Sequence, residues 1–125
     1  MVAVIPAKNQ EEIAETFKEH NIELCDGAMA MIARVGDEKV GSAVFSIVNN
    51  EMTLLSVLYP KEDIGLCDLI SRAAMNYGVN RNIMYCELGE KAPKKEFYTL
   101  GFIKNSEETT IDIIKTFTLC TNCKK

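Results

Sequence analysis

The sequence predicts a mixed α/β fold, and three observations carry this prediction. Three consecutive β-type segments separated by short turns occupy residues 28–59, which is the pattern of an antiparallel meander. A helical period follows over Ile64–Tyr77, with apolar residues at spacings of three and four. A short apolar segment, Ile83–Leu88, comes soon after that helix, as in a strand–helix–strand unit.

The remaining elements follow from local signals in the chain. Val2–Ile5 is a short apolar run before Pro6 and is predicted as the first strand. Asn9 and Glu12 stand at capping-box spacing and start a helix over Gln10–His20. The other predicted elements give the order β-α-β-β-β-α-β-α-β: strands Ala28–Val35, Val40–Val48, Glu51–Tyr59 and Thr110–Thr118, and helix Pro93–Leu100.

Two features of the chain predict where elements turn or end. Asn49 and Asn50 are predicted to form a tight turn, because asparagine tolerates a positive φ. Gly78 is predicted to end the long helix, since glycine is common just after a helix C-terminus.

Length, charge and cysteine content limit the classes of protein. A chain of 125 residues fits one domain, predicted here as residues 1–125. The net charge of −4 argues against a nucleic-acid partner, and no apolar run is long enough to span a bilayer. The first residues lack the pattern of a signal peptide. We therefore expect a soluble cytoplasmic protein in which the five cysteines are reduced thiols.

The C-terminal end carries a C-x-x-C pair, Cys120 and Cys123. A structural zinc site needs four ligands, and no second pair in the chain has ligand spacing. A redox pair normally opens a helix, whereas this one follows a predicted strand. We therefore expect residues 119–125 to be a short tail and predict no metal site, with metal or redox use as the alternative.

Two local patterns, together with the order of elements, point to a known fold family. Val57 ends the third meander strand and is followed at a regular spacing by Glu62, Gly65 and Cys67. A Leu-Gly-Phe sequence at residues 100–102 closes the short helix and follows two adjacent aromatic residues. These features resemble the GCN5-related N-acetyltransferase (GNAT) superfamily, over nearly the whole chain in element order and at these two places in sequence.

The resemblance implies a binding site for acetyl-CoA at the start of the long helix. In the family, backbone N–H groups and the helix dipole hold the pyrophosphate of the coenzyme there. The residues at matching positions here are Val57, Gly65, Leu66 and Cys67. Two acidic residues, Glu62 and Asp63, stand where the family has Arg or Gln and its neighbour, and only Lys61 offsets their repulsion of a pyrophosphate.

The resemblance also implies catalytic groups. A family tyrosine protonates the leaving thiolate, and its position is filled here by Phe97, with Tyr98 one residue later. Tyr98 takes the role of the acid if the helix is shifted by one residue. Glu51 is the predicted base that deprotonates the amine, and Glu87 is a second candidate.

The sequence therefore predicts an acyl-CoA-dependent N-acyltransferase that moves an acetyl group to a small-molecule or protein amine. The alternative is a binding or interaction protein on the same fold whose coenzyme site has decayed. A homodimer through the last strand and the C-terminal tail is a further candidate. No nucleic-acid or membrane partner is expected.

Overall fold

A six-stranded sheet forms the centre of the protein, and its strands lie side by side in chain order. The structure is a computed structural model that describes residues 1–122. The predicted order of the first nine elements is confirmed, and a helix that was not predicted follows the last strand. Every bound except that of the last strand falls within two residues of its prediction. The elements are β1 (Val2–Pro6), α1 (Gln10–Glu19), β2 (Ala28–Val35), β3 (Glu38–Val48), β4 (Glu51–Leu58), α2 (Ile64–Val79), β5 (Tyr85–Leu88), α3 (Lys94–Leu100), β6 (Thr110–Asp112) and α4 (Ile113–Asn122).

One pair of neighbouring strands differs from all the others. β4 and β5 run parallel, whereas the four other neighbouring pairs are antiparallel. A parallel pair requires a crossover connection, and α2 supplies it over one face of the sheet. The sheet therefore combines the predicted antiparallel meander with the predicted strand–helix–strand unit.

The two faces of the sheet are covered by separate hydrophobic clusters. The larger cluster packs α2 against the sheet and includes Ile70, Met75 and Phe97. The smaller one packs Ile13 and Phe17 of α1 against β2 and β3. Because both faces carry buried apolar side chains, the central strands contain few polar residues.

The predicted turn at Asn49 and Asn50 is confirmed, with φ of 53° and 64° at the two residues. The predicted helix stop at Gly78 is wrong, because α2 continues to Val79 and is capped by Asn80. A Cβ atom on Gly78 would lie 2.8 Å from the sulfur of Met52. Glycine at this position therefore allows α2 to approach β4 closely rather than ending the helix.

The predicted strand over Thr110–Thr118 is wrong beyond its first three residues. β6 ends at Asp112, whose Oδ1 accepts a hydrogen bond of 3.0 Å from the backbone N–H of Lys115, and α4 begins directly after it. The β-branched residues of this segment favour a strand locally, but Ile113 and Phe117 also share one helix face. The ring of Phe117 packs edge-on against Phe102 at 5.4 Å.

This correction also affects the predicted C-terminal tail and dimer. Residues 119–122 of the predicted tail lie in α4, and Cys123 lies outside the described residues. The strand predicted as a dimer contact has only three residues, and it pairs with β5 on one side and forms the edge of the sheet on the other. The dimer therefore stays a prediction, with a much shorter strand edge than the sequence indicated.

A buried histidine links the C-terminus of α1 to the sheet. His20 is only 5% exposed, and its Nε2 lies 2.8 Å from the hydroxyl oxygen of Ser42. Its Nδ1 has no hydrogen-bond partner. Removal from water disfavours the charged ring and lowers the pKa of His20 to about 4. The histidine is therefore neutral in the folded protein at neutral pH.

Acidification should destabilise the protein through His20. The unfolded chain binds a proton near pH 6.5 and the folded chain near pH 4, so stability is complete above pH 6.5 and falls as the pH is lowered through this window. Between pH 7.5 and pH 5 we expect a loss of about 2 kcal/mol from this group. Urea unfolding of the wild type and of His20→Gln at both pH values isolates the effect, and equal losses in the two proteins would contradict it.

Two glycines with positive φ provide a matched pair for testing the loop before β2. Gly27 (φ 68°) and Gly36 (φ 62°) both adopt a conformation that costs alanine about 1 kcal/mol. A Cβ atom on Gly27 would also lie 2.1 Å from the carbonyl oxygen of Ile47, whereas one on Gly36 meets nothing within 4 Å. Gly27→Ala should therefore lower the free energy of unfolding by at least about 2 kcal/mol more than Gly36→Ala. Similar losses in urea unfolding would show that the loop can move away.

Candidate functional site

The parallel pairing of β4 and β5 stops well before β4 ends. The last paired residues are Leu54 and Leu88, and the N–H of Gly89 donates a 2.8 Å hydrogen bond to the Leu54 carbonyl. Ser56–Leu58 continue β4 and pair only with β3 among the described strands. The gap beside Ser56–Leu58, on the side away from β3, is called here the β4–β5 opening. Its strand edge presents backbone N–H and C=O groups without a strand partner.

A β-bulge lies at the point where the two strands part. Val44 pairs with Ser56 and Phe45 pairs with Leu54, so Leu55 is an extra residue in β4. A Cβ atom on Gly89 would lie 3.4 Å from the side chain of Leu55. The chain after β5 thus passes close to the bulge and then leaves β4.

The start of α2 lies just beyond the end of β4, as the sequence predicted for a coenzyme site. Asp63 is the N-cap, and its Oδ1 accepts a 3.0 Å hydrogen bond from the N–H of Leu66. Gly65 is exposed, and a Cβ atom there would meet only Asp63 Oδ1, at 3.6 Å. One of the donor groups that the resemblance assigns to a pyrophosphate, the N–H of Leu66, is therefore occupied by a carboxylate of the chain itself.

Tyr59 connects the end of β4 to α3. Its hydroxyl donates a hydrogen bond of 2.6 Å to Oε2 of Glu96. Burial of the phenol and the adjacent carboxylate both raise the pKa of Tyr59 well above its usual range. The tyrosine therefore keeps its proton, and the contact spans the β4–β5 opening from the β4 side to the helix that follows β5.

Cys67 lies beneath this contact in the first turn of α2. It is fully buried, and burial raises the pKa of its thiol to about 11. A thiol that stays protonated at neutral pH is a poor nucleophile. Cys67 therefore serves as a packing residue. Two other residues of the predicted coenzyme site, Val57 and Leu66, are also mostly buried.

The register of α3 separates the two adjacent aromatic residues. Phe97 is fully buried and packs against Phe102, with the ring centroids 5.2 Å apart. Tyr98 is 54% exposed on the outer surface of the helix. The family's tyrosine position is therefore occupied by a core phenylalanine, and the hydroxyl of Tyr98 points away from the core in the helix register found here.

The two candidate bases, Glu51 and Glu87, line one cavity of about 520 Å³, and Glu87 accepts a 2.8 Å hydrogen bond from the hydroxyl of Thr110. Glu51 is the first residue of β4, whereas Glu87 pairs with Thr53, one position before the parallel pairing ends. Val57 lies six positions after Glu51 along the strand, which corresponds to roughly 20 Å. The structure therefore does not bring Glu51 to the β4–β5 opening.

Among the side chains that the structure describes, no three His, Cys, Asp or Glu groups lie close enough together to hold a metal ion. None of the described helices has the length and apolar character needed to cross a membrane.

Comparison with known proteins gives matches in structure but not in sequence. No protein-family model and no curated protein matches the chain. The solution structure of the candidate N-acetyl transferase YhhK from E. coli, bound to coenzyme A, matches 86% of this chain and 90% of its own, at 9% identity and a TM-score of 0.51. The chain has the fold of the GNAT acetyltransferases.

A second structural match is shorter. The PaiA N-acetyltransferase from Thermoplasma acidophilum, in complex with coenzyme A, shares 18% identity over 73% of this chain, with a TM-score of 0.49. This chain covers 59% of that protein. At these levels of identity the comparisons concern the fold alone, and the match to the E. coli protein confirms the fold class predicted from the sequence.

Two features of the site were not predicted from the sequence. The capping role of Asp63 had a local signal, because aspartate directly before a helical period is a common N-cap. The contact between Tyr59 and Glu96 had none, because it joins residues 37 positions apart. Its only trace in the sequence is a tyrosine at the end of a predicted strand.

The register of α3 can be tested with two substitutions at adjacent positions. Phe97→Tyr would bury a hydroxyl without a partner in the core and should lower the free energy of unfolding by about 1–3 kcal/mol. Tyr98→Phe removes an exposed hydroxyl and should change the free energy of unfolding by less than about 0.5 kcal/mol. Urea unfolding measures both, and a destabilised Tyr98→Phe beside an unaffected Phe97→Tyr would place Tyr98 in the interior instead.

Proposed function

We propose that the chain is an N-acyltransferase of the acyl-CoA-dependent type, which transfers an acetyl group from a pantetheine thioester to an amine. The observation that carries the proposal is the β4–β5 opening. There, a strand edge whose backbone groups have no strand partner lies next to a helix start, with Leu58 41% exposed and Ser56 and Val57 each 7% exposed. The likeness of the fold to a protein solved with coenzyme A supports this choice.

The β4–β5 opening fits one part of acetyl-CoA better than the other. The amide groups of a pantetheine arm can pair with the backbone of Ser56–Leu58 in the manner of an added strand. The pyrophosphate fits poorly, because Asp63 already occupies the N–H of Leu66 and Glu62 adds a second negative charge. No catalytic step is therefore assigned to the start of α2.

The proposed reaction needs a free amine and an activated carbonyl. A thioester supplies that carbonyl; the amine nitrogen forms the new amide bond, the C–S bond breaks, and the thiol leaves with a proton. Tyr98 remains the proposed proton donor on α3, and because its side chain is 54% exposed in the register found here, this role requires α3 to turn by one residue when the donor binds. Glu51 is not included in the proposed reaction centre, since it lies near the opposite end of β4.

The acceptor is proposed only as an amine on a small molecule or a protein. Residues 21–27, between α1 and β2, form no regular element. This segment has seven residues and contains no helix that could cover an acceptor. An amine on a flexible protein segment and a small-molecule amine both remain candidates.

A second candidate function is an interaction protein that uses the same fold without a coenzyme. Three observations favour it: the carboxylate of Asp63 at the start of α2, the contact between Tyr59 and Glu96 across the β4–β5 opening, and the burial of Phe97 at the family's tyrosine position. Such a protein would bind neither acetyl-CoA nor acetyl-pantetheine.

Calorimetry with acetyl-CoA and acetyl-pantetheine decides between the two candidates. The acyltransferase proposal expects micromolar to low-millimolar binding of at least one thioester, which Gly65→Val weakens for acetyl-CoA. Gly65 is exposed and has open space around it, so this change should leave the fold intact. Glu11→Gln, at an exposed position on α1, is the control and should bind like the wild type.

The absence of binding for both thioesters at millimolar concentration would overturn the acyltransferase proposal. If binding is found, turnover with a panel of amines follows. Tyr98→Phe should then lower kcat by about 10²–10⁴-fold if its hydroxyl is the acid. An unchanged kcat would remove Tyr98 from the mechanism.

A further inference from the structure

The first turn of α2 already holds an anion that belongs to the chain. Oδ1 of Asp63 accepts the N–H of Leu66 at 3.0 Å, and the backbone carbonyl of Asp63 accepts the N–H groups of Leu66 and Cys67 at 3.1 and 3.2 Å. The carboxylate thus satisfies a donor that would otherwise face a bound anion. A ligand phosphate at this place would have to displace the carboxylate or lie against it.

The residues around Asp63 make displacement less favourable. Glu62 precedes it and is exposed, and Lys61 offsets only one of the two negative charges. The space beside Gly65, where a ligand could approach the helix, is bounded by Asp63 Oδ1, which lies 3.6 Å from the point that a Cβ atom would occupy. Any phosphate there would meet a like charge at contact distance, and that repulsion is significant even in a largely solvated site.

The other side of the β4–β5 opening also carries a fixed carboxylate. The hydroxyl of Tyr59 donates a hydrogen bond of 2.6 Å to Glu96 of α3, which holds that carboxylate next to the gap. By contrast, the strand edge of Ser56–Leu58 offers neutral backbone groups, and Leu58 adds an apolar side chain that is 41% exposed. The edge is therefore neutral and lies between two carboxylates held by hydrogen bonds, Asp63 and Glu96, while the lysines of the same two segments, Lys61, Lys94 and Lys95, are exposed or half-buried.

We propose that the β4–β5 opening accepts acyl thioesters of pantetheine without the nucleotide diphosphate, and that Asp63 is the residue that discriminates against the nucleotide. This inference rests on the proposed N-acyltransferase function and names its donor class. Neutral amides of the pantetheine arm match the strand edge, whereas the diphosphate of coenzyme A meets the carboxylates of Glu62 and Asp63. Free pantetheine thioesters and carrier-bound phosphopantetheine thioesters share this chemistry.

A charge series of donors tests the proposal directly by calorimetry. The three probes are acetyl-pantetheine, acetyl-4′-phosphopantetheine and acetyl-CoA, which share one thioester arm and differ in their phosphate groups. The wild type should bind acetyl-pantetheine at least about tenfold more tightly than acetyl-CoA. The affinity for the phosphopantetheine probe indicates whether a single phosphate is tolerated, and tight binding of this probe favours a carrier-bound donor over a free one.

Asp63→Asn is the decisive variant, because asparagine also caps helices and removes only the charge. It should raise the affinity for acetyl-CoA by roughly tenfold and leave that for acetyl-pantetheine within about twofold. Glu11→Gln, which removes one exposed negative charge from the first turn of α1, is the matched control and should change neither value. Thermal unfolding of each variant checks that the fold is intact.

Two results would overturn the inference, and only one of them would also overturn the proposed N-acyltransferase function. If the wild type binds acetyl-CoA more tightly than acetyl-pantetheine and Asp63→Asn changes nothing, the discrimination by Asp63 is wrong but the acyltransferase proposal stands. If neither the wild type nor Asp63→Asn binds any of the three probes, the proposed function fails, and the inference fails with it.

Discussion

The end of the parallel pairing between β4 and β5 is the constraint on which the rest of the site depends. Pairing stops at Leu54 and Leu88, where the bulge at Leu55 meets Gly89. A parallel pair needs a crossover, so α2 must start at the end of β4 that lies beside the gap. The free strand edge and the helix start are therefore neighbours because of the topology, whatever residues occupy them.

Local electrostatics then decides what this scaffold can hold. A helix start beside a free strand edge favours an anionic ligand with a peptide-like arm. Asp63, Glu62 and Glu96 change that preference, since one caps the helix and the other two add negative charge close to the gap. Under the proposal made above, the fold keeps its hydrogen-bonding edge and discriminates against phosphate, and fold alone does not determine which of these properties a chain has.

Much of the fold could be predicted from periodicity and turn residues. The meander, the α2 period and the Asn49–Asn50 turn depend on neighbours in sequence, and each was found where it was predicted. The segment after Asp112 was predicted as a strand but forms a helix. Its β-branched residues favour a strand locally, whereas Ile113 is buried and Phe117 packs against Phe102 in the helix. The prediction that Gly78 ends α2 was wrong for a similar reason, since this glycine leaves room for the side chain of Met52, which belongs to another element.

The sequence by itself determined the order of the first nine elements and the acidic residues before α2, and it carries Phe97 where the resemblance expects a tyrosine. Only the tertiary structure decided that Phe97 faces the core while Tyr98 faces solvent, that Glu51 lies far from Val57, and that Tyr59 reaches Glu96. The physical reason is the range of the interactions. Period, capping and charge act over a few residues, whereas helix register and side-chain contacts across the sheet depend on packing between elements distant in the chain.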